Sequence, residues 1–166
     1  MDSKDFEKIK IRKITHPEEA TACARMMAES EPWITLRRNY ETLFGIVSNP
    51  EREIYVAIHG GKEVAGFIML CMQGAFIGYI QSICIAPGWR NRGLGSRLIA
   101  FAEERIFREA PNVFICVSSF NPNARRLYER LGYEVIGELK DYIVSGHSEI
   151  LLRKSVAPLA GFKKMP

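Results

Sequence analysis

Residues 80–107, IQSICIAPGWRNRGLGSRLIAFAEERIF, constrain the fold of this chain more than any other stretch. Ile80, Ile83, Cys84 and Ile85 form an apolar, partly β-branched run that Pro87 stops, which predicts a buried strand. Arg90, Asn91, Arg92, Gly93 and Gly95 follow as a basic glycine loop. Leu94, Leu98, Phe101, Ala102 and Ile106 then recur at the spacing of one helix face. A glycine loop that opens a helix presents unpaired backbone N–H groups at the positive end of the helix dipole, and phosphate is the usual guest of such a site. The loop arginines reinforce that preference. It is not a Walker loop, because no Gly-Lys-Ser/Thr follows, and Leu98 stands where a dinucleotide fingerprint needs its third glycine.

The rest of the chain sets the frame for this stretch. At 166 residues, 47% of them apolar and 25% charged, it has the length and balance of a single folded domain over 1–166. Its core is expected over 9–154, with a tail over 155–166. A net charge of +4 suits a polyanionic cofactor as well as it suits nucleic acid, so it decides nothing. Cys23, Cys71, Cys84 and Cys116 are widely spaced, with no Cys-x-x-Cys, and read as reduced core cysteines rather than disulfides or metal ligands. With no apolar run of spanning length and no signal-like N-terminus, a cytoplasmic protein without a membrane partner is expected.

Periodicity predicts the remaining elements. Residues 9–14 alternate apolar and basic as a half-exposed strand, and Thr15 or His16 caps a helix with Pro17 in its first turn. Residues 33–47 carry Leu36, Tyr40, Leu43 and Phe44 at helical spacing, which predicts a second helix. Strands over 53–58, 64–72 and 76–85 form a meander turned at Gly60-Gly61 and Gly74. Residues 113–117 form a central strand. Asn121 caps the next helix, Gly132 ends it, and strands over 133–139 and 149–154 close the fold around a polar loop at Ser145-Gly146-His147. The order β-α-α-β-β-β-α-β-α-β-β gives a mixed α/β sheet.

Arg90-Asn91-Arg92-Gly93-Leu94-Gly95, after a strand ending in Pro, resembles the acetyl-coenzyme A loop of the GNAT superfamily of N-acetyltransferases. Residues 121–133, NPNARRLYERLGY, resemble that family's Asn-x-x-Ala-x-x-x-Tyr-x-x-x-Gly-Phe/Tyr segment. The resemblance extends over residues 9–154. It implies an α/β (α+β) GNAT fold, with a mostly antiparallel sheet of about seven strands and about four helices, splayed between strands 4 and 5. It also implies that Arg90 to Ser96 hold the coenzyme A pyrophosphate through Arg90, Asn91, Arg92, Gly93, Leu94, Gly95 and Ser96. Ile83, Cys84 and Ile85 would pair with the pantetheine arm, and Asn121 would touch the cofactor as well as cap its helix. Tyr128 would be the general acid for the leaving thiolate, where spacing alone gives a packed tyrosine.

The acceptor side is implied more loosely. Trp33, Arg37, Tyr40, Gln81 and Tyr142 are expected to line it, together with His147 and Glu149, and the hairpin at Lys140-Asp141-Tyr142 resembles the N-terminal acetyltransferases. Arg37-Arg38 reads more readily as a solvated helix face. Relatives carry an acidic general base where this chain has Gln81 or Cys116. A lysine amine is neutral in about 1 part in 2500 at pH 7, an α-amine in about a seventh, so a site without a base favours a peptide N-terminus or another low-pKa amine. Cys116 as an acetylated nucleophile is the less favoured alternative, because no histidine lies nearby in sequence. Three functions stay open at this level: acetyl transfer to a small-molecule or peptide amine, a coenzyme A-binding module of weak activity, and nucleic-acid binding, for which no recognition motif is present. A homodimer embraced by the tail from Ser155 is a further expectation.

Overall fold

The first strand, β1 (Ile9–Lys13), pairs antiparallel with β2 (Arg52–His59), which turns into β3 (Glu63–Cys71) and then β4 (Tyr79–Ile85). Gly60 and Gly61 both have positive φ, 56° and 80°, and Lys62 N–H donates to His59 C=O at 3.2 Å. That is a type I′ turn, whose twist matches that of the strands it joins. The third strand begins later than periodicity predicts. Residues 73–78 form a loop instead, and Phe76 packs edge-on to Phe114 with ring centroids 5.0 Å apart. This computed structural model describes residues 8–164; the ends of the expected 1–166 domain, 1–7 and 165–166, lie outside them.

Two helices cover one face of this meander. Helix α1 (Pro17–Ala28) starts at His16. The Glu19 carboxylate accepts the N–H groups of Thr15 at 3.0 Å and His16 at 3.3 Å and pairs with Arg12, so the strand-to-helix corner is tied to β1. Arg12 is the main reason that carboxyl is held down to about 2. Helix α2 is shorter than the predicted 33–47 and spans Tyr40–Val47. Residues 31–37 form turns, because Glu31 accepts Thr35 N–H at 3.2 Å and Arg37 takes a positive φ of 53°. Asn39 Oδ1 then accepts Thr42 N–H at 2.9 Å and starts the helix afresh.

After β4, the 3-10 turn Pro87–Trp89 leads into α3 (Leu94–Phe107), β5 (Asn112–Ser118), α4 (Pro122–Arg130), β6 (Glu134–Leu139) and β7 (Glu149–Ser155). The seven strands lie in the order β1-β2-β3-β4-β5-β7-β6, all neighbours antiparallel except β4 and β5. Leu94, Leu98, Ala102 and Ile106 of α3 pack with Ile80, Ile115 and Leu152 on one face of the sheet. Cys23 and Met27 of α1 and Leu43 of α2 pack with Val56, Phe67 and Cys84 on the other. Burying a side chain as completely as Leu98 stabilises the fold by about 2 kcal/mol. Strand β7 runs through Ser155, which the tail was expected to begin, and Val156 N–H donates to Pro111 C=O at 3.0 Å.

Pairing between β4 and β5 is confined to Tyr79 with Phe114 and Ile80 with Ile115. Just before it, Gly78 accepts Phe114 N–H at 3.0 Å with a φ of 88°. A Cβ on Gly78 would lie 2.5 Å from both Asn112 O and Ile106 Cγ2. Just after it, β4 carries one extra residue against β3: Leu70 pairs with Ile80 and Met69 with Ser82, so Gln81 bulges. Gly78→Ala is therefore expected to lose on the order of 2–4 kcal/mol in urea denaturation, because strain and a backbone clash add. Gly88→Ala, where nothing lies within 4 Å, should change stability by less than about 0.5 kcal/mol.

Candidate functional site

Beyond Ile80 and Ile115 the two central strands part, and a cleft of about 1370 Å³ opens between Gln81–Ile85 on one side and residues 116–118 on the other. Strand backbone with no neighbour costs about 1–3 kcal/mol for each buried group left without a partner, so such an edge is a template for an extended, amide-bearing ligand or for water. Ile83, Cys84 and Ile85 line this cleft. The Cys84 side chain is 5% exposed and its thiol, pushed up to about 11 by burial, is core.

At one end stands the glycine loop. Asn91 and Gly93 take positive φ, 59° and 84°, and turn the chain sharply into α3. Arg97 N–H is bonded to Gly93 C=O at 3.0 Å, so the amides of Leu94, Gly95 and Ser96 precede the first intrahelical bond. Asn91, Gly93, Gly95 and Ser96 all line the cleft. A Cβ on Gly95 would make only ordinary contacts, 3.8 Å to Leu127 Cδ2 and 4.0 Å to Ile85 Cγ1. The fold itself therefore does not require glycine there. Leu94 turns into the core, 1% exposed.

The loop arginines divide their work. Arg90 lines the cleft but folds back, its Nε donating to Ile85 C=O at 3.0 Å and its Nη2 to Ser30 Oγ at 2.9 Å. It latches the end of β4 to the α1–α2 connection. Arg92 lies 5.9 Å from the centroid of the Trp89 ring and is not among the cleft-lining residues. Two cations that sequence reasoning missed, Arg126 and Arg130, do line the cleft from α4. Their i, i+4 spacing was the available signal.

Helix α4 supplies the polar groups at the middle of the cleft. Asn121 Oδ1 accepts Ala124 N–H at 3.2 Å, which is the expected helix cap, and the residue lines the cleft as well. Tyr128 is 5% exposed, lies 6.1 Å from the Tyr133 ring, and also reaches the cleft. Burial raises its hydroxyl well above the usual phenol range, so it holds its proton at neutral pH.

On the acceptor side Trp33, Gln81 and Tyr142 line the cleft, the last 66% exposed. Gln81 Oε1 accepts the Cys71 thiol at 3.2 Å. Arg37 and Tyr40 are not among the lining residues; Tyr40 stacks on Phe44 at 5.8 Å, and Arg38 takes the place expected for Arg37. His147 packs against the Phe120 ring at 4.8 Å rather than into the cleft. Cys116 is hydrogen-bonded to Tyr79 and its thiol is raised, chiefly by burial, which argues against a thiolate nucleophile. Tyr79 escaped sequence reasoning, since only the register with Phe114 places it beside Cys116.

Residues 19–133 match the model of the acetyltransferase (GNAT) family. The chain is 30% identical over 104 residues to blasticidin-S acetyltransferase of Streptomyces morookaense, covering 61% of this chain and 76% of that protein. It is 28% identical over 142 residues to the N-alpha-acetyltransferase of Sulfurisphaera tokodaii, covering 76% and 82%. Its fold is similar to that of spermidine N-acetyltransferase from Vibrio cholerae in complex with CoA and spermine, with a TM-score of 0.69, 16% identity, and coverage of 90% and 96%. Acetyl-coenzyme A is the cosubstrate of this family. A matching family model over more than half the chain, placed on the glycine loop and the split sheet, shows that this chain belongs to the GNAT family of acetyltransferases.

Proposed function

We propose that this chain is an N-acetyltransferase that moves the acetyl group of acetyl-coenzyme A to a primary amine by direct attack. The observation that carries this reading is the opening between β4 and β5, lined along its length and facing the glycine loop at one end. The amides of Leu94, Gly95 and Ser96 suit a pyrophosphate, with Arg126 and Arg130 available to further phosphate charge. The exposed edge of Ile83 to Ile85 suits the amides of a pantetheine arm, as one strand suits another. The bulge at Gln81 turns backbone away from β3 just where an acetyl carbonyl would follow, the place for an N–H to polarise it.

Much of the rate comes from holding amine and thioester carbon together, and the remaining demand is for proton handling. Tyr128 is buried, protonated and on the cleft, which fits it to protonate the departing thiolate. The acceptor enters between residues 33–38 and the β6–β7 loop, where Tyr142 stands exposed. An opening with an aromatic wall on each side suits a peptide N-terminus or a small amine, and relatives with these acceptors in their names support that range.

Gly95→Asp places a side chain and a negative charge in the phosphate site while leaving a favourable acid in a first helical turn. Calorimetry should show coenzyme A affinity lower by at least about 100-fold, with the melting midpoint unchanged within about 2 °C. Unchanged affinity would mean that the loop is not the phosphate site. Tyr128→Phe should lower kcat by about 10- to 100-fold with little change in KM for acetyl-coenzyme A, read by steady-state assay over a panel of peptides and small amines. Tight coenzyme binding by the unmutated chain with no acetylated product from any of these amines would instead mark a binding module.

A further inference from the structure

We propose that the Glu149 carboxylate receives the cationic amine of the acceptor and takes up its proton. This rests on the N-acetyltransferase reading and supplies the base that the usual strand positions lack, since they hold Gln81 and Cys116. Glu149 opens β7 and pairs in register with Ser118 at the end of β5. Partners across a ladder share a face, and Phe114, Cys116 and Ser118 alternate onto one face of β5. Tyr79, which pairs with Phe114, is on that face too. A polar strip of Tyr79, Cys116 and Glu149 therefore runs along one side of the sheet at the point where it opens, and all three line the cleft.

Tyr128 lies on the opposite side. It packs with Ile115, Val117, Ile150 and Leu152, whose side chains alternate away from Cys116 and Glu149. The proton donor for sulfur and the proton acceptor for nitrogen thus approach the split from different faces, so neither neutralises the other.

Glu149 is also costly to the fold unless something cationic meets it. It is 5% exposed, and among the described residues its direct partner is the Ser118 hydroxyl, which donates to Oε1 at 2.6 Å. The groups facing it are Ser118 and Cys116 from β5, Tyr79 from β4 and Leu139 across the ladder on β6; its neighbour in sequence, His147, turns onto Phe120. A buried carboxylate without a cation is unfavourable by itself, and an ammonium ligand relieves it. Burial, opposed by the Ser118 hydrogen bond, raises this carboxyl and makes it a better proton acceptor than an ordinary one.

An ammonium acceptor sheds two protons along the reaction. The first passes to Glu149 and on to water, and the freed lone pair forms the C–N bond to the acetyl carbon. Collapse of the intermediate breaks the C–S bond, and Tyr128 protonates the sulfur. The second nitrogen proton leaves through Glu149 to water, and water restores the proton of Tyr128. The products are amide, thiol and one net proton. With a carboxylate in this place, the site also accepts more basic amines than an α-amine.

The test compares the unmutated chain with Glu149→Gln, using acetyl-coenzyme A and three acceptor probes: spermidine, kanamycin and a library of peptides with free N-termini. At neutral pH kcat/KM should fall by about 100-fold in the variant with coenzyme A affinity unchanged, and the deficit should shrink about tenfold per pH unit as solution deprotonates the amine. Ser118→Ala, which keeps the carboxylate and removes its hydrogen bond, should move the acid limb of the pH profile upward. This second variant decides the matter if Glu149→Gln fails to fold. Equal kcat/KM and an identical pH profile in Glu149→Gln, or an unmoved acid limb in Ser118→Ala, would overturn the assignment to Glu149 alone. An unmutated chain that acetylates none of the probes would overturn the N-acetyltransferase reading and this inference with it.

Discussion

Two residue pairs hold the halves of this sheet together where every other strand pair has five or more. Tyr79–Phe114 and Ile80–Ile115 close the bottom of the split, with Gly78 packed too tightly against Asn112 and Ile106 for any side chain. Above them the Gln81 bulge and the right-handed twist of the strands carry β4 and β5 apart. The cores on the two faces bridge the gap, since Ile80 and Ile115 share the α3 side while Cys84 sits under α1. The open strand edges are tolerable because ligand or water can satisfy them. The energetic cost of an incomplete sheet and the proposed binding site are thus one feature.

Around that opening the chain separates positioning from chemistry. Backbone groups of α3's first turn and of β4 are set by local geometry, the positive φ values at Asn91 and Gly93 above all, and are hard to alter by a surface substitution. Arg90 contributes by joining Ile85 to Ser30, which fixes the end of the strand relative to the helices over it. The side chains proposed to exchange protons come from elements on either face: Tyr128 from α4, Glu149 from β7. Each is buried, and burial keeps the phenol protonated while making the carboxylate more basic.

The element order, the glycine loop and the Asn121 cap were legible in the sequence because each is a local pattern: alternation, helical spacing, or a capping residue before proline. Residues 33–38 were not. Their apolar spacing imitates a helix, and only the Glu31–Thr35 contacts and the left-handed Arg37 show a turn. Arg90 and Arg92 read as phosphate ligands by charge, yet their side chains are directed to Ile85, Ser30 and Trp89, which no local pattern states. Glu149 was expected on the acceptor side, but its place beside Cys116, like that of Tyr79, depends on register between strands far apart in sequence. The bulge at Gln81 shifts Tyr79 by one residue relative to plain alternation, and Glu149 looks like the first polar residue after a polar loop. Long-range pairing, not composition, makes them neighbours of Cys116.

The central claim is that coenzyme A lies in the split, pairing with β4 and capped by the first turn of α3. Amide hydrogen exchange with and without coenzyme A measures this residue by residue. The account predicts slowed exchange concentrated at residues 81–85 and 94–96, with little change along β1, β2 and the outer strand β6. Saturating coenzyme A that leaves those two segments unprotected, or that protects only the α1–α2 surface, would contradict it.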